Sequence, residues 1–262
     1  MEINETGSLQ SPLRPVPQQR IMEKVNECMS RRDYPGVERV LRYWLDEARA
    51  GGDLRGQLMI LNEMVGHYRK TGEKEKAHES ARAALDLIPV LGYGDALSGA
   101  TTWVNVATAY NSFGENEEAL PLFEQARRVY EKSPGAAPGL VGGLYNNMGL
   151  ACAALGRWEE ALSLYGLAME KMAHAPNGAL EQAVTCLNMA NAIEGRDGME
   201  KGEREIFSLL DRASALLEEE GPPRDGYYAY VCEHCAPTFE YYGYFARAEA
   251  LKKTAEDIYE RP

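Results

Sequence analysis

Apolar residues recur along this chain with the period of an amphipathic helix and are interrupted at regular intervals by single glycines. The pattern is sharpest between Trp103 and Ala126. Trp103, Val106, Ala107 and Tyr110 fall at i, i+3, i+4 and i+7, which is one face of a helix. Gly114 stops it. Ala119, Phe123 and Ala126 give a second helix, starting near Glu115, its inner face at i, i+4 and i+7. The small Ala119 admits close approach while the aromatics fill the flanks, so the stretch predicts an antiparallel helical hairpin. One hairpin cannot bury both of its apolar faces. It must stack on copies of itself.

The copies align when each turn glycine is numbered position 15, which puts Trp103 at position 4. Downstream, Tyr145, Met148, Gly149, Cys152, Gly156, Trp158, Ala161, Tyr165 and Ala168 take positions 4, 7, 8, 11, 15, 17, 20, 24 and 27. Upstream, Leu61, Met64, Val65, Tyr68, Gly72, Ala77, Ala81 and Ala84 do the same without position 17. Gly72, Gly114 and Gly156 are spaced by 42 residues, and Gly243 follows 87 residues later, about two periods plus a small insertion.

In chain order the pattern predicts six hairpins. The first, Gln18 to Ala50, turns at Arg31–Asp33 without a glycine and has Val37 at position 20, as an atypical terminal cap would. The second runs from about Gln57 to Ile88 and closes at Pro89. The third and fourth run from Gly99 to Lys132 and from Val141 to Met172, with Pro138-Gly139 among the separators and Pro176-Asn177-Gly178 as the next turn. In the fifth, Cys186, Met189, Ala190 and Ile193 are in register, Gly195 to Gly202 reads as an extended turn, and Ile206, Leu210 and Ala213 resume about four residues late. The sixth runs from Gly226 to the end. Residues 1–17, polar and carrying Pro12, Pro15 and Pro17, read as a disordered or loosely docked tail, with 18–262 as a single solenoid domain.

The order Trp103, Val106-Ala107, Tyr110, Gly114, Ala119, Phe123, Ala126 resembles the tetratricopeptide repeat signature, strongly over about residues 57–172 and weakly over 18–50 and 180–260. The period is similar to that of kinesin light chains. HEAT and armadillo repeats share the period but not this residue order. The resemblance implies an all-α fold, a right-handed superhelix or α-solenoid of about six hairpins, with the first helix of each pair lining a concave groove.

The formal charge of −12, from 28 Lys and Arg against 40 Asp and Glu, disfavours a nucleic-acid partner, because phosphate binding needs a cationic surplus. There is no apolar run long enough for a membrane span and no secretory leader pattern at the start, so the expectation is a cytoplasmic protein. Cys28 and Cys152 fall at position 11, Cys186 and Cys232 at 4, and Cys235 at 7. All are positions where the hairpin buries an apolar side chain, so the Cys232-x-x-Cys235 pair reads as core rather than metal site. The four histidines, His67, His78, His174 and His234, make no zinc motif, and neither a phosphate loop nor Gly-x-Ser-x-Gly is present. The expectation is a non-enzyme without metal or cofactor.

The resemblance places groove residues at positions 2, 5, 6, 9, 12 and 13 of the first helices. Here these include Asn105, Asn147 and Asn188 at position 6, Asn62 and Asn146 at 5, Asn191 at 9 and Asn111 at 12. An asparagine amide both donates and accepts, so such a ladder can hold an extended peptide backbone, as groove asparagines do in kinesin light chains and bacterial peptide-pheromone sensors. The alternative is that these amides satisfy neighbouring helices. The carboxylate clamp of chaperone-binding members is not matched, since Asn62, Gly66, Asn105, Gly143 and Asn147 stand without its basic residues. Glu63, Arg69, Tyr230 and His234 are candidates for selectivity. The last hairpin is crowded with aromatics, of which Tyr230 and Tyr241 would face the groove and could dock a partner or a second copy.

The function expected from these features is a non-catalytic adaptor that binds a protein or peptide segment. Two alternatives stay open. One is a structural protein that forms a homo-oligomer through the aromatic C-terminal repeat. The other is a peptide-responsive regulator, for which the short tail leaves no room for a DNA-binding domain.

Overall fold

The computed structural model describes residues 14–176 and 178–261. Residues 1–13 of the expected tail, Asn177 of the expected turn and Pro262 lie outside the described residues. The described residues hold twelve α-helices and no strand. They are α1 (Gln18–Ser30), α2 (Tyr34–Ala50), α3 (Leu54–Thr71), α4 (Lys74–Val90), α5 (Leu97–Ser112), α6 (Asn116–Lys132), α7 (Pro138–Ala154), α8 (Trp158–Met172), α9 (Gly178–Asp197), α10 (Met199–Glu218), α11 (Gly226–Tyr241) and α12 (Phe245–Tyr259). Taken in pairs they are the six expected hairpins.

The chain divides into two compact units, residues 1–133 and 134–262. In the first, α1/α2, α3/α4 and α5/α6 are the hairpins. The second helix of one packs on the first helix of the next, and α3 touches α5 directly. In the second unit the hairpins are α7/α8, α9/α10 and α11/α12, with α8 packed on α9 and α9 touching both α7 and α11. Within each unit this is the stacking of an α-solenoid.

One turn construction serves five of the six hairpins. The backbone N–H at position 16 donates to the carbonyl at position 11, as in Asp33 to Cys28, Glu73 to Tyr68, Glu115 to Tyr110 and Arg157 to Cys152, each 2.9 Å, and Tyr244 to Phe239, 2.8 Å. That closure needs position 15 in the left-handed region. Gly72, Gly114, Gly156 and Gly243 have φ of 75°, 79°, 72° and 85°. In the first hairpin Arg32 takes the same place with φ 53°, the only non-glycine residue described with a positive φ.

Three expectations of the sequence are corrected. Residues 195–202 are not an extended turn, because α9 continues to Asp197, α10 begins at Met199, and Gly198 alone, with φ 78°, separates them. The inserted residues lengthen both helices. Gly195 and Gly202 are helical because their missing side chains are filled by neighbours. A Cβ on Gly195 would lie 2.6 Å from the Trp158 ring, and one on Gly202 would lie 2.9 Å from Ile193. Pro89 sits inside the last turn of α4 rather than closing the hairpin before it. Pro138 opens α7, in the first helical turn, where its missing N–H has no helical partner to lose.

The cores follow the aligned positions. Ala77, Ala119, Ala161 and Ala248 at position 20 are all buried, as are Phe123 and Tyr165 at position 24. Trp103, which anchors the sequence pattern, is only half-buried. Ahead of α1, Val16 is buried and its N–H donates to Asp53 Oδ2 at 2.9 Å. The other oxygen of Asp53 caps α3 by accepting from Gly56 N–H at 2.9 Å.

Candidate functional site

The groove asparagines are used first of all between helices. In the first unit Asn62, on α3, donates to Thr102 Oγ1 on α5 at 3.0 Å and to its own helix at Leu58 O, 3.1 Å. Its Oδ1 accepts from Asn105 Nδ2 of α5 at 3.2 Å. The second unit repeats the device one element set later. Thr185 Oγ1 and Asn188 Nδ2 of α9 both lie 3.0 Å from Asn146 Oδ1 on α7. Thus an asparagine at position 5 is clasped by a threonine at position 3 and an asparagine at position 6 of the next hairpin. Asn146 and both threonines are buried, so these bonds exchange with little water.

The clasp sets the spacing of successive first helices and orders the polar side chains beside it. Asn147 and Asn111 are half-buried on α7 and α5. Asn191 is exposed, and its Oδ1 lies 3.1 Å from Tyr242 Oη. Arg69 is exposed near the end of α3. Glu63, at position 6 of α3, is half-buried and makes no hydrogen bond or ion pair among the described residues. Burial therefore pushes its carboxyl above the usual range.

In the last hairpin the aromatics divide. Tyr228, Phe239 and Tyr242 are buried, whereas Tyr227, Tyr230, Tyr241 and Phe245 are exposed. Tyr230 stacks on His234 with ring centres 5.9 Å apart and on Tyr227 at 6.4 Å, which makes a column along one face of α11. Tyr241 is 69% exposed, and its hydroxyl donates to Glu194 Oε1 at 2.8 Å. Tyr242 Oη lies 2.8 Å from the other oxygen of Glu194. The five cysteines are all buried as free thiols. Burial raises the thiols of Cys232, Cys186 (to about 11) and Cys235 (to about 12), so these three offer no thiolate at neutral pH.

One cluster in the first unit escaped the sequence reading. Glu38 on α2, His67 on α3 and Glu73, the residue before α4, bring one potential ligand atom each within 4.8 Å of one another. Lys76 Nζ lies 3.0 Å from Glu38 and 2.6 Å from Glu73, and its ammonium is the largest cause holding both carboxyls below their usual range. Tyr68 donates to Glu38 at 3.0 Å, and Arg42 reaches it at 3.4 Å. No spacing motif in the sequence joins these residues, since they come from three separate elements. Beside them a cleft of about 290 Å³ is lined by Arg42, Asp46, Met64, Tyr68, Lys76 and Glu79.

Comparison with known proteins agrees with the geometry. A tetratricopeptide repeat family model matches residues 98–173. No curated protein matches the chain. Among solved structures, the fold is similar to nearly identical kinesin-light-chain TPR-like repeats of Podosopora anserina, at 17% identity and TM-score 0.52, covering 77% of this chain and 94% of that one. It is similar also to BtubC (BKLC) from P. vanneervenii, at 19% identity and TM-score 0.52, covering 93% of this chain and 91% of that one. A third similar structure is the MamA protein, at 15% identity and TM-score 0.51, covering 79% and 98%. At these identities the likeness is one of fold. No described helix is long and apolar enough to cross a membrane.

Proposed function

We propose that this chain, a tetratricopeptide-repeat protein, is a non-catalytic adaptor that holds a protein or peptide segment against the faces lined by its first helices. The fold is of a kind that serves protein–protein interaction. The observation that carries the finer reading is Glu63, a half-buried carboxylate with no partner among the described residues. A group kept unpaired at a cost in desolvation has its use in a complex, where a Lys or Arg of the bound segment would neutralise it. The Asn62–Asn105 and Asn146–Asn188 clasps support this, because they fix the helices that present the site and so reduce the ordering needed on binding. In the first unit Asn105 would contact peptide backbone beside Asn111 and Arg69, and in the second unit Asn147 and Asn188 would do so beside Asn191. Tyr230, His234 and Tyr241 would supply selectivity at the last hairpin.

The test is affinity capture from source lysate on immobilised full chain, read by mass spectrometry. The parent is compared with Glu63→Gln and with an Asn105/Asn147/Asn188→Ala triple variant whose melting temperature has been matched. Retention of a segment by the parent, its weakening by Glu63→Gln and its loss from the triple variant are expected. Equal retention by all three would place the contact elsewhere. The exposed Tyr227–Tyr230–His234 column favours a second reading, self-association through the last hairpin. Light scattering that shows an oligomer dissociated by Tyr230→Glu would establish it.

A further inference from the structure

We propose that Glu38, His67 and Glu73 form a site for a divalent cation of the zinc class, which takes the place of the Lys76 ammonium. Three observations meet there. The ligand atoms of the three residues lie within 4.8 Å of one another, so small side-chain rotations bring them to the roughly 3.4 Å spacing of tetrahedral zinc ligands. Lys76 Nζ bridges the two carboxylates, so the position already attracts positive charge. His67 is only 6% exposed, and its Nδ1 is buried without a hydrogen-bond partner. An orphaned imidazole nitrogen in a buried place is costly unless something else uses the ring.

The donors are also arranged to release their present partner. Glu38 accepts from Tyr68, Lys76 and Arg42 through Oε1 alone, which leaves Oε2 for an ion. Glu73 takes Thr71 Oγ1 on Oε1 at 3.2 Å and Lys76 on Oε2. Lys76 is substantially exposed and lines the adjacent cleft, where Asp46 and Glu79 could receive its displaced ammonium. One imidazole nitrogen with two carboxylate oxygens suits zinc, with water in the fourth position. Magnesium and calcium favour all-oxygen sets. Such an ion would tie α2, α3 and the start of α4 together and stabilise the first unit by mass action.

The experiment uses the full chain after chelator treatment, titrated with zinc chloride and separately with magnesium chloride. Calorimetry gives stoichiometry and affinity, and thermal unfolding gives the shift. One zinc per chain, a raised melting temperature with zinc and none with magnesium are expected. His67→Gln and Glu73→Gln should each weaken zinc binding tenfold or more. Lys76→Met should strengthen it, because no ammonium then competes. His78→Gln, which alters the histidine–carboxylate pair with Glu115 elsewhere in the same unit, should leave it unchanged. Should His67→Gln fail to fold, Glu73→Gln at the partly exposed start of α4 carries the test. Zinc binding indifferent to Glu73→Gln, lost in His78→Gln, or weakened in Lys76→Met would overturn the proposal.

Discussion

A Cβ placed on Gly149 would stand 2.5 Å from Cε1 of Tyr165, inside the ring's van der Waals surface. The two residues face each other across the α7/α8 hairpin at positions 8 and 24, and Tyr165 is fully buried. In the second hairpin the same positions hold Val65 and Ala81, both within one buried cluster, so bulk has moved from one helix to the other. Gly149→Ala is therefore expected to destabilise the second unit by roughly 1–3 kcal/mol through overpacking. Chemical denaturation checks it, and a Gly149→Ala/Tyr165→Ala double variant should recover little, because it trades the clash for a cavity.

Arg32 carries the left-handed conformation that glycine supplies in four of the other hairpins. An L-residue with a side chain is strained there by about 1–2 kcal/mol. Arg32→Gly should raise stability by about 1 kcal/mol after the extra chain entropy of glycine is subtracted. Arg32→Ala keeps the strain and should show no such gain. Equal behaviour of the two variants in denaturant melts would contradict this account of the turn.

Asp53 holds two segments with its two oxygens, the N-terminus of α3 through Gly56 and the docked Val16 through its N–H. The residue is buried, so its loss leaves both donors without partners. Asp53→Ala is expected to cost about 2 kcal/mol or more. Hydrogen exchange should show faster exchange of the Val16 and Gly56 amides, while amides of the second unit keep their protection.

The raised carboxyl of Glu63 gives a pH signature. The unfolded carboxyl titrates near 4.5, and the folded one titrates higher because burial disfavours its charge. The folded state thus binds the proton more tightly. The contribution of this one group to stability is full below the unfolded value and is lost as pH rises through the folded one. Glu63→Gln removes the charged form, so it should be more stable than the parent at pH 7 and no more stable near pH 4. Melting temperatures at the two pH values measure it. The same substitution weakens capture of a basic segment under the adaptor reading, so stability and binding should move in opposite directions.

The sequence by itself determined the period, the six hairpins and nearly every turn. These depend on local sterics, since a left-handed residue at position 15 and apolar residues every third or fourth position act within one helix pair. Its failure at residues 195–202 shows the limit of that argument. Gly195 and Gly202 look like helix breakers one at a time, but Trp158 of the preceding hairpin and Ile193 of the facing helix fill the space their missing side chains leave. The column of asparagines was legible as well. That Asn62 and Asn146 are the recipients of a clasp from the next hairpin was not, because the partners Thr102, Asn105, Thr185 and Asn188 lie roughly one full repeat away.

Tertiary structure alone decided where the unusual electrostatics lie. Glu38, His67 and Glu73 share no motif and meet only because α2, α3 and α4 converge. The register picks out Glu63 as a candidate for selectivity, but only packing strips its water without providing a partner among the described residues. Periodicity is written into the chain because helices bury one face whatever their neighbours. Desolvation and convergence of charges belong to the packed molecule, since they depend on which faces meet.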